Sequence, residues 1–288
     1  MKNDSEYLAQ LEKDVVLAYK KLKSYVYHEN VSLRLRMDVA RFETTEIDEK
    51  LSTIALDLFE YENNSKSLDA YLNKIRCSLY PKYFESENID TREEFYFSNL
   101  NKQKNYTISG SKSVTAFIEC PVEIHIMCVL WIMRIGESLD DELSSSCYAN
   151  RLQRDSDNEF STSSIKLFKR YYDNYNSWRD DAIKKAKSLH KLNLDVAILN
   201  LDIQSYYNSV DIDVRSLKAH KPDAWLNDAL FKVHDVYRKV LVKLDLIDDP
   251  RKKILPIGLL SSNILSNYYL RKLDAAVTST IKPEFYGR

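Results

Sequence analysis

The sequence predicts an α+β protein that is mostly helical, and three observations carry that prediction. Glycine is scarce, 4 in 288 residues with 6 prolines, against the roughly 20 glycines expected at about 7% average usage. Sandwiches, barrels and dinucleotide-binding folds need more turn glycines than that. Apolar residues recur at helical spacing along most of the chain, whereas only two stretches carry the branched and aromatic runs of strands. The glycines present, Gly110, Gly136, Gly258 and Gly287, are expected where a side chain would not fit.

Taken in order, Leu8, Leu11, Val15, Tyr19, Leu22 and Val26 form one stripe, with Lys20, Lys21 and Lys23 on the wet side. This predicts an amphipathic helix over 7–26. A second helix is expected over 47–61 behind the cap candidates Thr44 and Thr45, and a third over 68–79, stopping before Pro81. Residues 1–85 thus read as a helical N-terminal region, and 86–105 as an irregular connection. The branched and aromatic residues on both sides of Ser109-Gly110-Ser111 predict a β-hairpin over 105–119 with Gly110 at its tip. After Pro121, the stripe Ile124, Cys128, Trp131, Ile135 and Leu139 predicts a helix over 122–143. A polar loop over 156–164 leads to an aromatic helix through Phe168, Tyr172, Tyr175, Trp178 and Ile183 to about His190. The run Asp195-Val-Ala-Ile-Leu-Asn-Leu-Asp202 reads as a buried strand ending on a carboxylate. Residues 223–247 are helical again, stopped by Asp248-Asp249-Pro250.

Composition narrows the function. With 44% hydrophobic and 30% charged residues, disorder is excluded. Lys and Arg total 42 against 43 Asp and Glu, which excludes a generally basic nucleic-acid binder but leaves local basic grooves open. Cys77, Cys120, Cys128 and Cys147 lack Cys-x-x-Cys spacing and read as reduced thiols of a cytoplasmic protein. No signal peptide or membrane span is expected, and no membrane partner. His28, His125, His190, His220 and His234 share no metal-like spacing. The runs 20–23, 34–41 and 251–253 are basic wet faces that could track a nucleic-acid backbone. Asp211 and Asp213 read as solvated loop charges.

Two segments carry chemistry. In Leu201-Asp202-Ile203-Gln204-Ser205-Tyr206-Tyr207, a strand-end carboxylate and the next backbone carbonyl are hard oxygen donors that suit magnesium. Taken alone, an Asp in this place is more often a helix cap. In Leu255-Pro256-Ile257-Gly258-Leu259-Leu260-Ser261-Ser262 through Asn267, a Pro-x-Gly turn entering a helix lets backbone approach a ligand and offers N–H groups to phosphate or sugar. Taken alone, the segment is more often an ordinary turn with a serine-capped helix.

In this order the two segments resemble palm motifs A and B of reverse transcriptases. The first matches through Asp202 with aromatics Tyr206 and Tyr207, and the second through Pro256, Gly258, Ser262 and Asn267. The final Phe285-Tyr286-Gly287-Arg288 looks like the approach to the third motif, Tyr-x-Asp-Asp, whose aspartates lie outside this sequence. The hairpin at 105–119 is similar to the fingers hairpin, and Cys147-Tyr-Ala-Asn-Arg-Leu152 to a segment before the palm. The resemblance is to bacterial defence-associated or abortive-infection reverse transcriptases, among them the second polymerase subunit of the type three defence system. It implies a right-hand polymerase with fingers over 86–190 and a partial palm over 191–288, as part of a longer chain.

The resemblance further implies RNA-directed DNA synthesis from deoxynucleoside triphosphates in antiphage defence. Magnesium is held by Asp202 and the Ile203 carbonyl, and Tyr207, Ile257, Gly258, Ser262 and Lys112 line the nucleotide site. A nucleic-acid primer and template or a noncoding RNA, and a second reverse transcriptase subunit in an oligomer, are the implied partners. The sequence also departs from the family. Ile257 replaces the motif B Gln, Asn263 follows Ser262 in place of Pro, and Ala116 stands where the fingers carry Arg, leaving Lys104, Lys112 or another residue to meet the triphosphate. A non-catalytic polymerase-like scaffold for noncoding RNA or a partner subunit remains the alternative, beside a helical interaction protein.

Overall fold

The computed structural model describes residues 4–29, 32–81, 114–157, 159–247 and 249–288. Its centre is helix α5, Val122–Trp131, where every residue except Glu123 is buried. A helix that is apolar on all sides must be surrounded, because each face left in water forfeits roughly 25 cal/mol per Å² of apolar area. Helices α1 (Asp4–His28), α2 (Leu33–Phe42), α4 (Asp69–Leu72), α9 (Ala224–Lys243) and α10 (Leu260–Ala276) all pack on it. Helix α3 (Ile47–Glu60) covers the outer side of α1. A single cluster of buried side chains runs from Leu11 to Leu265.

The expected helices are present at 7–26, 47–61, 122–143 and 223–247, with local refinements. The 122–143 helix passes through a π-helical turn at Ile132–Gly136 before α6 (Glu137–Asp141). Neither Thr44 nor Thr45 caps α3; Glu46 holds the cap position without a side-chain bond. Helix α9 stops ahead of the acidic Pro turn, at Asp245 in the left-handed region with φ 54. There the Leu246 N–H reaches back to Leu241 O at 2.9 Å, a closure that satisfies the helix's last carbonyls.

Two expectations about strands are corrected. The third helix is only α4, and the chain then extends into strand β1 (Arg76–Pro81). β1 pairs antiparallel with β2 (Val114–Glu119), Arg76 opposite Glu119 and Pro81 opposite Val114. The hairpin's second arm is thus a strand, and it pairs with one far back in the sequence; the first arm and the tip at Gly110, together with Lys104 and Lys112, lie outside the described residues. The predicted buried strand at 195–202 is instead irregular and exposed throughout. No ladder partner meets it among the described residues, and a branched apolar run without one has no sheet in which to be buried.

Lys21, expected on the wet side of α1, is fully buried. Its ammonium donates to the carbonyls of Ser161, Ser164 and Lys166 at 2.8, 2.6 and 3.1 Å. It also lies 4.8 Å from the Phe160 ring centre. All three donors are used, which replaces the lost water and ties α1 to the loop before α7 (Tyr171–Lys191). Across the molecule, the Trp131 indole donates to Asn227 Oδ1 at 2.8 Å, and Tyr237 Oη donates to Ala116 O at 2.8 Å. These bonds fix α9 to α5 and to β2.

His125 and His234 are buried, and neither His125 Nδ1 nor His234 Nε2 has a partner among the described residues. Burial lowers their pKa values from 6.5 to about 4 and about 3. Below pH 6.5 the unfolded chain therefore binds protons that the folded chain refuses. Stability is fully present above pH 6.5 and should fall, by on the order of 1.4 kcal/mol per pH unit for each histidine, between pH 6.5 and 4. Urea denaturation across that range checks this, and His125→Gln/His234→Gln should flatten the profile.

Candidate functional site

The residues around the two motif segments meet at the start of α10. Ser205, in the left-handed region with φ 52, turns the exposed stretch before it into the short helix α8 (Tyr206–Ser209). The Tyr206 and Tyr207 rings meet edge to face at 5.8 Å. Tyr206 Oη donates to Ser266 O at 2.5 Å and Tyr207 Oη to Asn263 Oδ1 at 3.4 Å. The Leu255 N–H closes the arrangement by donating to Tyr207 O at 3.1 Å. Burial raises both phenol pKa values, so each hydroxyl is a donor at neutral pH.

The Pro256-Ile257-Gly258 turn sits between this pair and the sheet. Gly258 has φ +98, a conformation that side-chain-bearing residues rarely adopt. A Cβ there would lie 3.5 Å from both Ile118 O and the Phe117 ring. The Ile118 N–H donates to Ile257 O at 2.9 Å, so β2 continues onto the turn. Ser262 is buried, and its hydroxyl donates to Pro256 O at 2.7 Å. It latches the turn to the helix rather than facing a ligand.

Beside Gly258 opens a cleft of about 450 Å³. Its walls include Arg34 and Asp38 of α2, Tyr80 and Phe117 of the sheet, Glu119 and the buried His125. Arg34 pairs with Glu119 at 2.9 Å, and Tyr80 meets Phe117 edge to face at 5.2 Å. Sequence reasoning missed this set, apart from Arg34 as part of a basic run, because its members are scattered over three elements. The 251–253 run is partly spent within the fold, Lys253 Nζ pairing with Asp213 at 2.6 Å.

A third convergence lies at the other end of α10. Asp274 is 3% exposed, and Arg288 grips it with Nε and Nη2, each at 2.6 Å. Arg288 Nη1 also reaches Asn267 Oδ1 at 3.1 Å, and Nη2 reaches Asn267 O at 2.9 Å. Asn267 Nδ2 donates to Ala149 O at 2.7 Å, and Tyr286 Oη to Asp274 Oδ1 at 2.8 Å. The Arg288 backbone pairs with Ser146 O and the Tyr148 N–H, both at 2.8 Å. The Trp178 indole donates to Gly287 O at 3.0 Å. A Cβ on Gly287 would lie 3.0 Å from that indole and 3.1 Å from the Phe285 and Tyr148 rings, tighter than ordinary van der Waals contact. The 147–152 segment, Asn267 and the 285–288 tail, separate in sequence, are one hydrogen-bonded unit.

Asp202 and Ile203 stand apart from all of this, exposed in the irregular stretch before Ser205. The Asp202 carboxylate and Ile203 carbonyl are donors magnesium accepts. Among the described residues, however, no group of three His, Cys, Asp or Glu side chains converges to hold a metal ion. No chemical step is routed through these two groups. Lys112 lies outside the described residues. No helix among them is long and apolar enough to cross a membrane.

Asp274→Asn should destabilise the protein by roughly 3 kcal/mol or more, because it leaves the Arg288 guanidinium partly buried without its counter-charge. Adding Arg288→Gln should recover part of that loss in urea denaturation; strictly additive losses would mean the pair is not coupled. Compared with models of known protein families, with curated proteins and with solved structures, the chain matches none.

Proposed function

We propose that this chain contributes the fingers and part of the palm of a nucleotidyltransferase of the reverse transcriptase type. Deoxynucleoside triphosphates are its substrate, and a nucleic-acid primer and template or a noncoding RNA its partner. The observation that supports this reading best is the docking of Tyr206 and Tyr207 on α10, beside a Gly258 turn bonded to β2. A motif A aromatic pair, a motif B turn and a fingers strand would have to meet in this way around an incoming nucleotide. Catalysis in such a site is positioning and charge stabilisation. Magnesium, when bound, would supply charge stabilisation at the phosphates.

The chain's own residues have definable parts in that reading. Tyr207, fixed by its backbone bond to Leu255 and by Asn263, would sit under the sugar and exclude a ribose 2′-hydroxyl. Gly258 would let the backbone approach the nucleotide from the cleft. Ile257, in place of the family's Gln, presents an apolar side chain to the base pair, so templating would rest on other contacts. The antiphage role and the second polymerase subunit of an oligomer come from the sequence resemblance alone.

The scaffold alternative takes Asp202 as an ordinary exposed residue of the irregular stretch before Ser205. In that reading the same fold binds a noncoding RNA or a partner subunit without chemistry.

Deoxynucleotide incorporation by the protein co-expressed with its genomic neighbours separates the two. Incorporation in magnesium should vanish in Asp202→Asn, and Tyr207→Ala should admit ribonucleotides while leaving deoxynucleotide incorporation measurable. Activity equal in wild type and Asp202→Asn, or none from an assembled complex, would favour the scaffold.

A further inference from the structure

The N-terminal end of α7 is unlike the rest of the molecule. Helix α7 has no buried residue along its length, yet it opens with two adjacent tyrosines, Tyr171 at 59% and Tyr172 at 71% exposure. One turn on, Tyr175 stacks with Tyr171, ring centres 6.0 Å apart and planes 26° from parallel. Tyr175 in turn lies 5.9 Å from the Trp178 ring. The result is a row of exposed tyrosine rings already ordered, ending on Trp178, which is bonded to the tail.

Immediately before this row come three exposed cations, Lys166, Lys169 and Arg170. None of them makes an ion pair among the described residues. Lys166, Arg170, Tyr171 and Tyr172 line a cleft of about 290 Å³ against the end of α1, where Tyr25 and His28 form the opposite wall. Glu29 is the single carboxylate on that lining. The floor is stiff, because Lys21 holds the Ser161, Ser164 and Lys166 carbonyls and Tyr25 packs edge to face on Phe168 at 5.6 Å.

The geometry points to a binding site for single-stranded nucleic acid, phosphates on Lys166, Lys169 and Arg170 and bases stacked on Tyr171, Tyr172 and Tyr175. Unpaired cations supply the sequence-independent attraction to a phosphate backbone, and aromatic faces take any base that is not already stacked in a duplex. The cleft, at about 290 Å³, is just below the roughly 300–1,000 Å³ typical of small-ligand pockets, which suits one nucleotide of the strand. None of these residues belongs to the motif segments. The inference deepens the polymerase or RNA-scaffold reading by naming where the strand is held, and it rests on that reading for the class of partner.

The test is fluorescence anisotropy with labelled 20-nucleotide mixed-sequence DNA and RNA strands, together with a duplex of the same sequence. Wild type should bind the single strands more tightly than the duplex, and the two strand arms show which nucleic acid is preferred. Tyr171→Ala/Tyr172→Ala, both exposed and expected to keep the wild-type circular dichroism, should bind about tenfold or more weakly. Lys166→Gln/Lys169→Gln/Arg170→Gln should reduce the slope of log K against log salt by about 2. Wild-type-like binding in both variants would overturn the site, as would absence of binding in wild type. Displacement by polyglutamate as effective as by an unlabelled strand would also overturn it, by reducing it to general polyanion attraction. Binding that depends on the tyrosines without Asp202-dependent incorporation would keep this site and remove the polymerase reading; the reverse pattern would remove the site alone.

Discussion

An all-round apolar helix leaves a protein little choice, and α5 sets that constraint here. Its ten residues can be shielded only if several elements present apolar faces to it at once. The buried faces of α1, α9 and α10 do so from distant parts of the sequence. Because α5 follows β2 after Cys120 and Pro121 alone, shielding it also fixes the sheet. Because α10 packs on it, the turn that enters α10 is delivered to the sheet's edge. The meeting of Gly258 with Phe117 and Ile118 is thus a consequence of core packing, with a glycine conformation accommodating the contact.

Polar interactions then specify what packing alone would leave loose. The Lys21 ammonium and the Asp274–Arg288 pair are both charged groups taken out of water. Such groups are tolerated only when every donor and acceptor is met. Lys21 meets carbonyls alone, and Arg288 meets a carboxylate, an amide oxygen and a carbonyl. One organises the loop before α7 and the other the tail and the 146–149 segment. Both therefore act as registers that hold irregular chain in one place beside the helices.

Much of the helical framework was legible in the sequence because apolar spacing is a local property that core packing then rewards. The failures share one cause, dependence on a distant partner. Residues 76–79 read as the end of a helix, and only pairing with 114–119 draws them into the strand 76–81. Residues 195–202 have the composition of a strand, but a strand needs a neighbour, and composition cannot supply one. Lys21 was placed in water because three lysines close together suggest a wet face, whereas carbonyls far along the chain receive it. Tyr206, Tyr207, Gly258 and Ser262 were legible as a group through their order, although Ser262 turned out to hold the turn. Asp274 could have been found: it shares a helical face with Ile264 and Asn267, and a carboxylate on a buried stripe signals a buried partner. The Arg34–Glu119 cleft had no such signal.

The central claim is that the motif segments and β2 form one nucleotide-binding surface around Gly258. Photolabelling with an azido-substituted deoxyadenosine triphosphate, followed by peptide mapping, addresses it most directly. The account predicts labelling on peptides containing 114–120 and 253–263, suppressed by unlabelled deoxynucleoside triphosphate. Labelling confined to other peptides, or indifferent to that competitor, would contradict it.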